Sequence, residues 1–222
     1  MVCRSRKRKF GFGRKFGNPD HSDFRGYRDV VGIDVNERGT LSFVNQNREV
    51  FINISSASNQ YPTYNDWPQI TNGISLWGPT VFDSDAGTTL NISVENTGTG
   101  TVTSLDRNEG SFGSDNFAGF VTGIQAEGGS INLQGKTTVT VKGNGAFVGG
   151  MVLQNVAGDS SWVKDHYEEL VANGEFCLRA DFGSDLTITA TSETGGAIGM
   201  LLGGYVPSDG DEDQYPYPEG VK

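Results

Sequence analysis

A nucleophilic triad requires a base beside its nucleophile, and the chain of 222 residues contains only two histidines that could serve, His21 and His166. His21 lies in a polar N-terminal segment, whereas His166 lies on a predicted helix beside Asp165 and Glu168. Neither setting is typical of a catalytic base. We therefore interpret both histidines as structural.

Clusters of oxygen atoms are the next candidates, because hard cations bind carboxylate and hydroxyl oxygens. Asp83, Asp85 and Thr88 are close enough in sequence to form such a cluster, but they lack the further spaced acids of a calcium loop. A solvated turn is the favoured interpretation, and the acidic residues 209–213 are interpreted as part of a disordered tail. The two cysteines lie 174 residues apart and favour neither a disulfide framework nor a zinc site, so no cofactor is predicted.

Carbohydrate-active enzymes need carboxylates that converge on one substrate, often with a cation nearby. Arg179, Asp181 and Asp185 are the nearest local set, on the predicted corner before Leu186. The same three residues fit an exposed turn with an ion pair at its rim. We therefore predict no enzyme activity, with a carbohydrate-active enzyme kept as an alternative.

A repeat organises the elements that must position these residues. Glycine, then isoleucine or methionine, then any residue, then an aliphatic residue recurs five times along the chain. The five copies begin at Gly32, Gly73, Gly123, Gly150 and Gly199. The copies are followed by short segments with aliphatic residues at i and i+2, such as Ile131 to Leu133 and Val139 to Val141. This pattern predicts three short strands in each unit.

Three short strands per unit, separated by polar corners rich in glycine, predict an all-β fold, the parallel β-helix. The shortest interval between copies is 27 residues, from Gly123 to Gly150, and it represents one nearly bare coil. The intervals of 41, 50 and 49 residues require either inserted loops or an additional degenerate coil. The alternative is an antiparallel β-sandwich or jelly roll, because turns at this spacing suit that fold too.

Three inserts are predicted to leave the coil: Ser55 to Trp67, Glu95 to Ala118, and Ser160 to Asn173. The third carries a helical stripe of apolar residues that ends at Gly174, so we predict one short helix on the flank of the coil. In the first insert, exposed aromatic side chains would give a large contact area at low entropic cost. The predicted binding residues are Tyr61, Tyr64 and Trp67, whereas Trp77 is expected to pack over the coil.

Charge divides the chain into three parts. Residues 1–28 carry nine basic residues and two acids, a net charge of +7, whereas the remaining 194 residues carry −17. We predict a basic disordered arm over residues 1–28, a β-helical domain over 29–206 and an acidic disordered tail over 207–222. Phe10, Phe12 and Phe16 lie among the basic residues of the arm, a combination that can contact phosphates and bases.

Two runs, residues 119–155 and 185–204, resemble the passenger region of bacterial autotransporter adhesins. The matching residues are Gly123, Ile124, Gly128, Gly129, Ile131, Leu133, Val139, Val141, Gly150 and Gly199. The resemblance implies a right-handed β-helix displayed outside a Gram-negative cell for adhesion or self-association. We find neither a signal peptide nor the strands of a membrane barrel, so a fragment or a stand-alone relative is expected.

The sequence therefore predicts a non-enzymatic, cell-surface or secreted β-helical domain that acts in adhesion. Its expected partners are surface macromolecules or glycans of host or neighbouring cells, or further copies of itself. It would associate with the outer membrane through a separate translocator, since no apolar run is long enough for a transmembrane helix. The alternative from another class is a viral coat protein whose basic arm contacts nucleic acid.

Overall fold

The computed structural model describes residues 30–36, 38–44, 48–56, 70–97, 120–143, 147–155, 161–193 and 196–203. These residues form thirteen strands and one helix. The strands are β1 Val30–Asn36, β2 Thr40–Phe43, β3 Glu49–Ser56, β4 Ile70–Trp77, β5 Thr80–Ser84, β6 Thr89–Asn96, β7 Phe120–Glu127, β8 Gly129–Leu133, β9 Lys136–Gly143, β10 Phe147–Gln154, β11 Arg179–Phe182, β12 Leu186–Ser192 and β13 Ala197–Gly203. The helix is α1 Ser161–Ala172, between β10 and β11.

The strands form three parallel sheets, and successive strands of the chain belong to successive sheets. Sheet 1 has the order β1-β4-β7-β10-β13, sheet 2 the order β11-β8-β5-β2, and sheet 3 the order β12-β9-β6-β3. Each coil therefore contributes one strand to each sheet, and the described strands make four such coils and begin a fifth. Every pairing among them is parallel. The parallel β-helix is confirmed, and the antiparallel sandwich is wrong.

The core consists of aliphatic ladders that run from coil to coil inside the three sheets. In β9, Val139 and Val141 are fully buried, while Thr140 and Lys142 between and beside them are exposed. The parallel register places Val139 between Ile92 and Ile188, so like side chains stack in one column. Each fully buried aliphatic side chain contributes about 1.5–3 kcal/mol relative to an exposed one. The alternating sequence thus produces both the strand and the core.

The repeated glycines form a column in sheet 1, and the backbone bends there. Val121 and Ile124 both lie in the core although they are three residues apart, so the alternation of the strand changes phase at Gly123. A Cβ atom on Gly123 would lie 2.6 Å from the carbonyl oxygen of Gly150, and one on Gly73 would lie 2.7 Å from Ile92 Cγ2. Only glycine allows sheets 1 and 3 to approach this closely.

Several predicted boundaries are wrong by a few residues. Strand β5 was not predicted, because two of its three inward positions are the hydroxyl residues Thr80 and Ser84 rather than aliphatic ones. Pairing with β2 and β8 on either side nonetheless makes this segment a strand. The inserts predicted to begin at Ser55 and Glu95 begin later, since β3 and β6 continue to residues 56 and 96.

Helix α1 confirms the predicted helix, and it is attached to the coil by its second half. Leu170 is fully buried and packs with Phe176, whose ring lies edge-on to Tyr167 at a centroid distance of 5.5 Å. Phe176 precedes β11 and belongs to this helical cluster rather than to a strand. The helix ends as predicted, with Gly174 at a φ of 67°.

An ion-pair cluster joins this helix to the turn after β1. Arg38 lies 2.7 Å from Glu169 on the helix and 3.1 Å from Glu175 beyond it. The hydrogen bond to Glu169 raises the pKa of Arg38 above its usual value. An insert of the fourth coil is thus bound to the first coil.

Candidate functional site

The outer face of sheet 3 is a regular exposed surface among the described residues. Because side chains alternate along a strand, every second residue of β3, β6, β9 and β12 faces outward. The parallel register then aligns these residues into ladders that cross the four coils. The Phe51 ladder contains Phe51, Asn91, Thr138 and Thr187, and the Asn53 ladder contains Asn53, Ser93, Thr140 and Thr189.

The two ladders contain only aromatic, amide and hydroxyl side chains, without a formal charge. All four members of the Asn53 ladder are exposed, and in the Phe51 ladder Asn91 and Thr138 are half-buried. Phe51 is the largest of these side chains and is 60% exposed. Amide and hydroxyl groups both donate and accept hydrogen bonds, so the face suits a ligand that does the same.

Charged residues border the two ladders on both sides. On one side Lys142 lies 3.6 Å from Glu95 and 3.9 Å from Glu193, so its charge is already compensated. On the other side Glu49 and Lys136 are exposed on the first outward positions of their strands. The centre of the face is therefore neutral, with acids and one paired lysine at one edge.

The outer face of sheet 1 has the opposite character, because its polar residues are buried. Asn72 and Ser75 are fully buried, and Thr122 is 2% exposed. Asn72 accepts a hydrogen bond from the Thr122 hydroxyl and donates one from Nδ2 to Gln125 Oε1 at 3.0 Å. Asn72, Thr122 and Gln125 thus bond one another, whereas the buried Ser75 hydroxyl has no hydrogen-bond partner among the described residues.

The residues predicted to bind, Tyr61, Tyr64 and Trp67, lie outside the described residues. The chain order shows that their segment joins the end of β3 in sheet 3 to the start of β4 in sheet 1, and that residues 98–119 join β6 to β7 in the same way. Trp77 ends β4, is half-buried and pairs with Asn36.

The candidate cation cluster is a hydrogen-bonded corner. Thr88 is buried, and its hydroxyl lies 2.7 Å from Asp85 Oδ1 and 2.8 Å from the carbonyl oxygen of Phe43. Asp83 faces outward from β5 between Ser42 and Asn132. Within the described ranges, no group of three or more histidine, cysteine, aspartate or glutamate residues is arranged to hold a metal ion.

The candidate carboxylates lie apart from the predicted corner. Arg179 and Asp181 are inside β11, exposed on the outer face of sheet 2, and only Asp185 is in the turn before β12. Asp181 accepts a hydrogen bond from Gln134 Nε2 at 3.1 Å. The placement of these two residues on a corner was wrong, because pairing with β8 extends β11 back to Arg179.

Of the two histidines, His166 is half-buried on α1, and His21 is outside the described residues. Burial raises the pKa of Tyr167 on the same helix, and the nearby Cys177 raises it further. Tyr167 and Cys177 pack against Leu170 and Phe176, so they contribute to the packing of the helix.

Sequence reasoning missed the outer face of sheet 3, because it treated the polar residues between aliphatic ones as spacers. A signal was present: Asn-Ile-Ser at residues 91–93, Thr-Val-Thr at 138–140 and Thr-Ile-Thr at 187–189 occupy the last strand of successive units, and the register aligns them with Phe-Ile-Asn at 51–53. Short polar residues that recur in the last strand of each unit mark one wall of the coil.

No helix among the described residues is long and apolar enough to cross a membrane. No protein-family model matches the chain, and no curated protein and no solved structure is significantly similar to it.

Proposed function

We propose that the chain is a non-enzymatic binding domain that acts in adhesion at a cell surface or in the secreted state. The observation that carries this proposal is the outer face of sheet 3, an exposed and regular array of uncharged side chains across four coils. A surface of this kind recognises a partner by shape and hydrogen bonding rather than by reacting with it.

The scaffold behind the face supports such a role. Ile92, Val94, Val139 and Val141 are at most 1% exposed, so the strands that carry the ladders are fixed by a packed core. Side chains on rigid strands lose little conformational freedom when a partner binds. The resemblance to autotransporter passengers points to the same use and to the bacterial cell surface.

Two alternatives have less support. The coat-protein hypothesis requires an antiparallel β-sandwich that carries a basic arm, but the described strands form parallel coils instead. The enzyme hypothesis needs carboxylates that converge on one substrate. Asp181 instead accepts a hydrogen bond from Gln134 on an exposed sheet face, apart from Asp185 in the following turn.

Adherence of cells to the purified full-length chain tests the proposal. Immobilised chain should retain bacterial or epithelial cells above the level of an acidic control protein. Heat-unfolded chain should lose this retention, because the face exists only in the folded coil. Retention of no cell type, together with salt-sensitive binding to random DNA, would instead favour the nucleic-acid alternative.

The aromatic insert provides a separate arm of this test. A chain with Tyr61→Ala, Tyr64→Ala and Trp67→Ala should adhere more weakly and keep its thermal unfolding midpoint if these residues bind. Unchanged adherence would remove them from the binding surface and leave sheet 3 as the candidate.

A further inference from the structure

We propose that the Phe51 ladder binds an extended, uncharged, β-linked polysaccharide that lies across the four coils. The inference rests on the proposed binding function and specifies the surface and the ligand class. Its basis is the order of side chains along the ladder, Phe51, Asn91, Thr138 and Thr187.

The spacing of the ladder suits a chain of sugars. Neighbouring strands of a sheet are about 4.8 Å apart, so the four rungs extend over about 14 Å. A pyranose residue in an extended β-linked chain advances by a distance close to the spacing between neighbouring strands, about 4.8 Å, so successive sugars meet successive rungs. The second ladder, which starts at Asn53, lies about 6.6 Å to the side and can contact substituents on the edge of the same chain.

The chemistry of the rungs suits a sugar as well. The 60% exposed ring of Phe51 offers a flat apolar surface for the apolar face of one pyranose. Asn91 provides an amide that donates and accepts, and Thr138 and Thr187 provide hydroxyls. Sugar hydroxyls have the same dual capacity, so each rung can be satisfied.

Charge selects against anionic polymers. The chain has a net charge of −10, and Lys142 at one edge of the ladders is already paired with Glu95 and Glu193. At the other edge, the exposed Lys136 shares its outward ladder with Glu49. A polyuronate or a nucleic acid would meet no uncompensated positive charge in the centre of the face. A neutral polymer loses nothing by this arrangement.

Area selects against a second copy of the chain as the occupant. Four strands of about eight residues cover roughly 14 Å by 26 Å, about 360 Å². A stable protein interface buries about 800 Å² on each partner. The face is therefore too small for a stable dimer but long enough for about three sugar residues.

Binding of cellohexaose and chitohexaose to the full-length chain, measured by calorimetry, tests the inference. At least one should bind, and polygalacturonate should not. Phe51→Ala and Thr187→Lys should each weaken binding by about tenfold, the first by removing the apolar platform and the second by obstructing the last rung. Both residues are exposed, so the variants should keep the unfolding midpoint, and Ser42→Ala on the outer face of sheet 2 should bind like the original chain.

Three results would overturn the inference: no binding of either neutral oligosaccharide, binding unchanged in both variants, or self-association that Phe51→Ala abolishes. Cell adherence separates this inference from the proposed function. If both variants still retain cells fully, the ladder is not the adhesive surface and the binding domain stands. If the original chain retains no cells, the proposed function itself is wrong.

Discussion

Sheets 1 and 3 belong to the same coils, yet they differ in how much of each strand is buried. In sheet 1, Asn72 and Ser75 on β4 and Thr122 on β7 face outward and are buried, so these two strands are packed on both faces. In sheet 3 the inward face is packed, whereas the outward ladders are exposed or half-buried. The comparison shows that one wall of a β-helix can be committed to stability while another remains free to bind.

The largest expected difference concerns the glycine column of sheet 1. Gly123→Ala should lower the free energy of unfolding by about 3 kcal/mol, because the new methyl group would lie 2.6 Å from the Gly150 carbonyl oxygen. Gly199→Ala is the matched control at the uncovered end of the column, where the nearest atom is 4.0 Å away, and it should change stability by less than about 0.5 kcal/mol. Chemical denaturation measures both. Equal losses would show that the close approach does not limit the side chain.

The next largest difference is expected between two asparagines, Asn72 on the outer face of sheet 1 and Asn53 on the outer face of sheet 3, in the stability that each loses on replacement by alanine. Asn72→Ala should lower the free energy of unfolding by about 2 kcal/mol, since it leaves the buried Thr122 and the half-buried Gln125 without their partner. Asn53→Ala, on the exposed ladder of sheet 3, should cost less than about 0.5 kcal/mol. Urea titrations of the two variants compare them directly. A loss at Asn53 as large as at Asn72 would mean that the sheet 3 face is also structural.

The smallest expected change in stability distinguishes the inward face of sheet 3 from its outward face. Thr137 faces the core between Leu90 and Leu186, and its hydroxyl is buried without a hydrogen-bond partner. Thr137→Val should therefore raise the free energy of unfolding by about 1 kcal/mol. Thr140→Val, three residues along the same strand and exposed, should leave stability nearly unchanged. A destabilised Thr137→Val variant would show that the hydroxyl has a partner after all.

Much of the fold could be predicted from the sequence because aliphatic alternation and the glycine repeat are local patterns with a direct physical cause. Gly123 and Gly150 mark equivalent positions of successive coils, and Val139 and Val141 mark an inward face. Strand β5 could not be predicted in this way, since Thr80 and Ser84 occupy inward positions where aliphatic residues are expected.

The candidate surface was harder to predict than the fold. A polar residue between two aliphatic ones faces outward in any half-buried strand, whether it binds a partner or only meets water. Thr138 and Thr187 become part of a candidate binding surface only through the parallel register, because it places them in one column with Asn91 and Phe51. That alignment joins segments forty or more residues apart in sequence, and it depends on the lengths of the inserts between them.

The link between Arg38 and helix α1 affects how the domain unfolds. In a solenoid each repeat contacts only its neighbours, so a terminal coil can detach while the others stay folded. Arg38 instead bonds Glu169 and Glu175, which are 131 and 137 residues further along the chain. Each of these exposed ion pairs is weak by itself, but together they connect the first coil to an insert of the fourth. Detachment of the first coil therefore also breaks its link to the fourth, which favours all-or-none unfolding over the gradual loss of one coil after another.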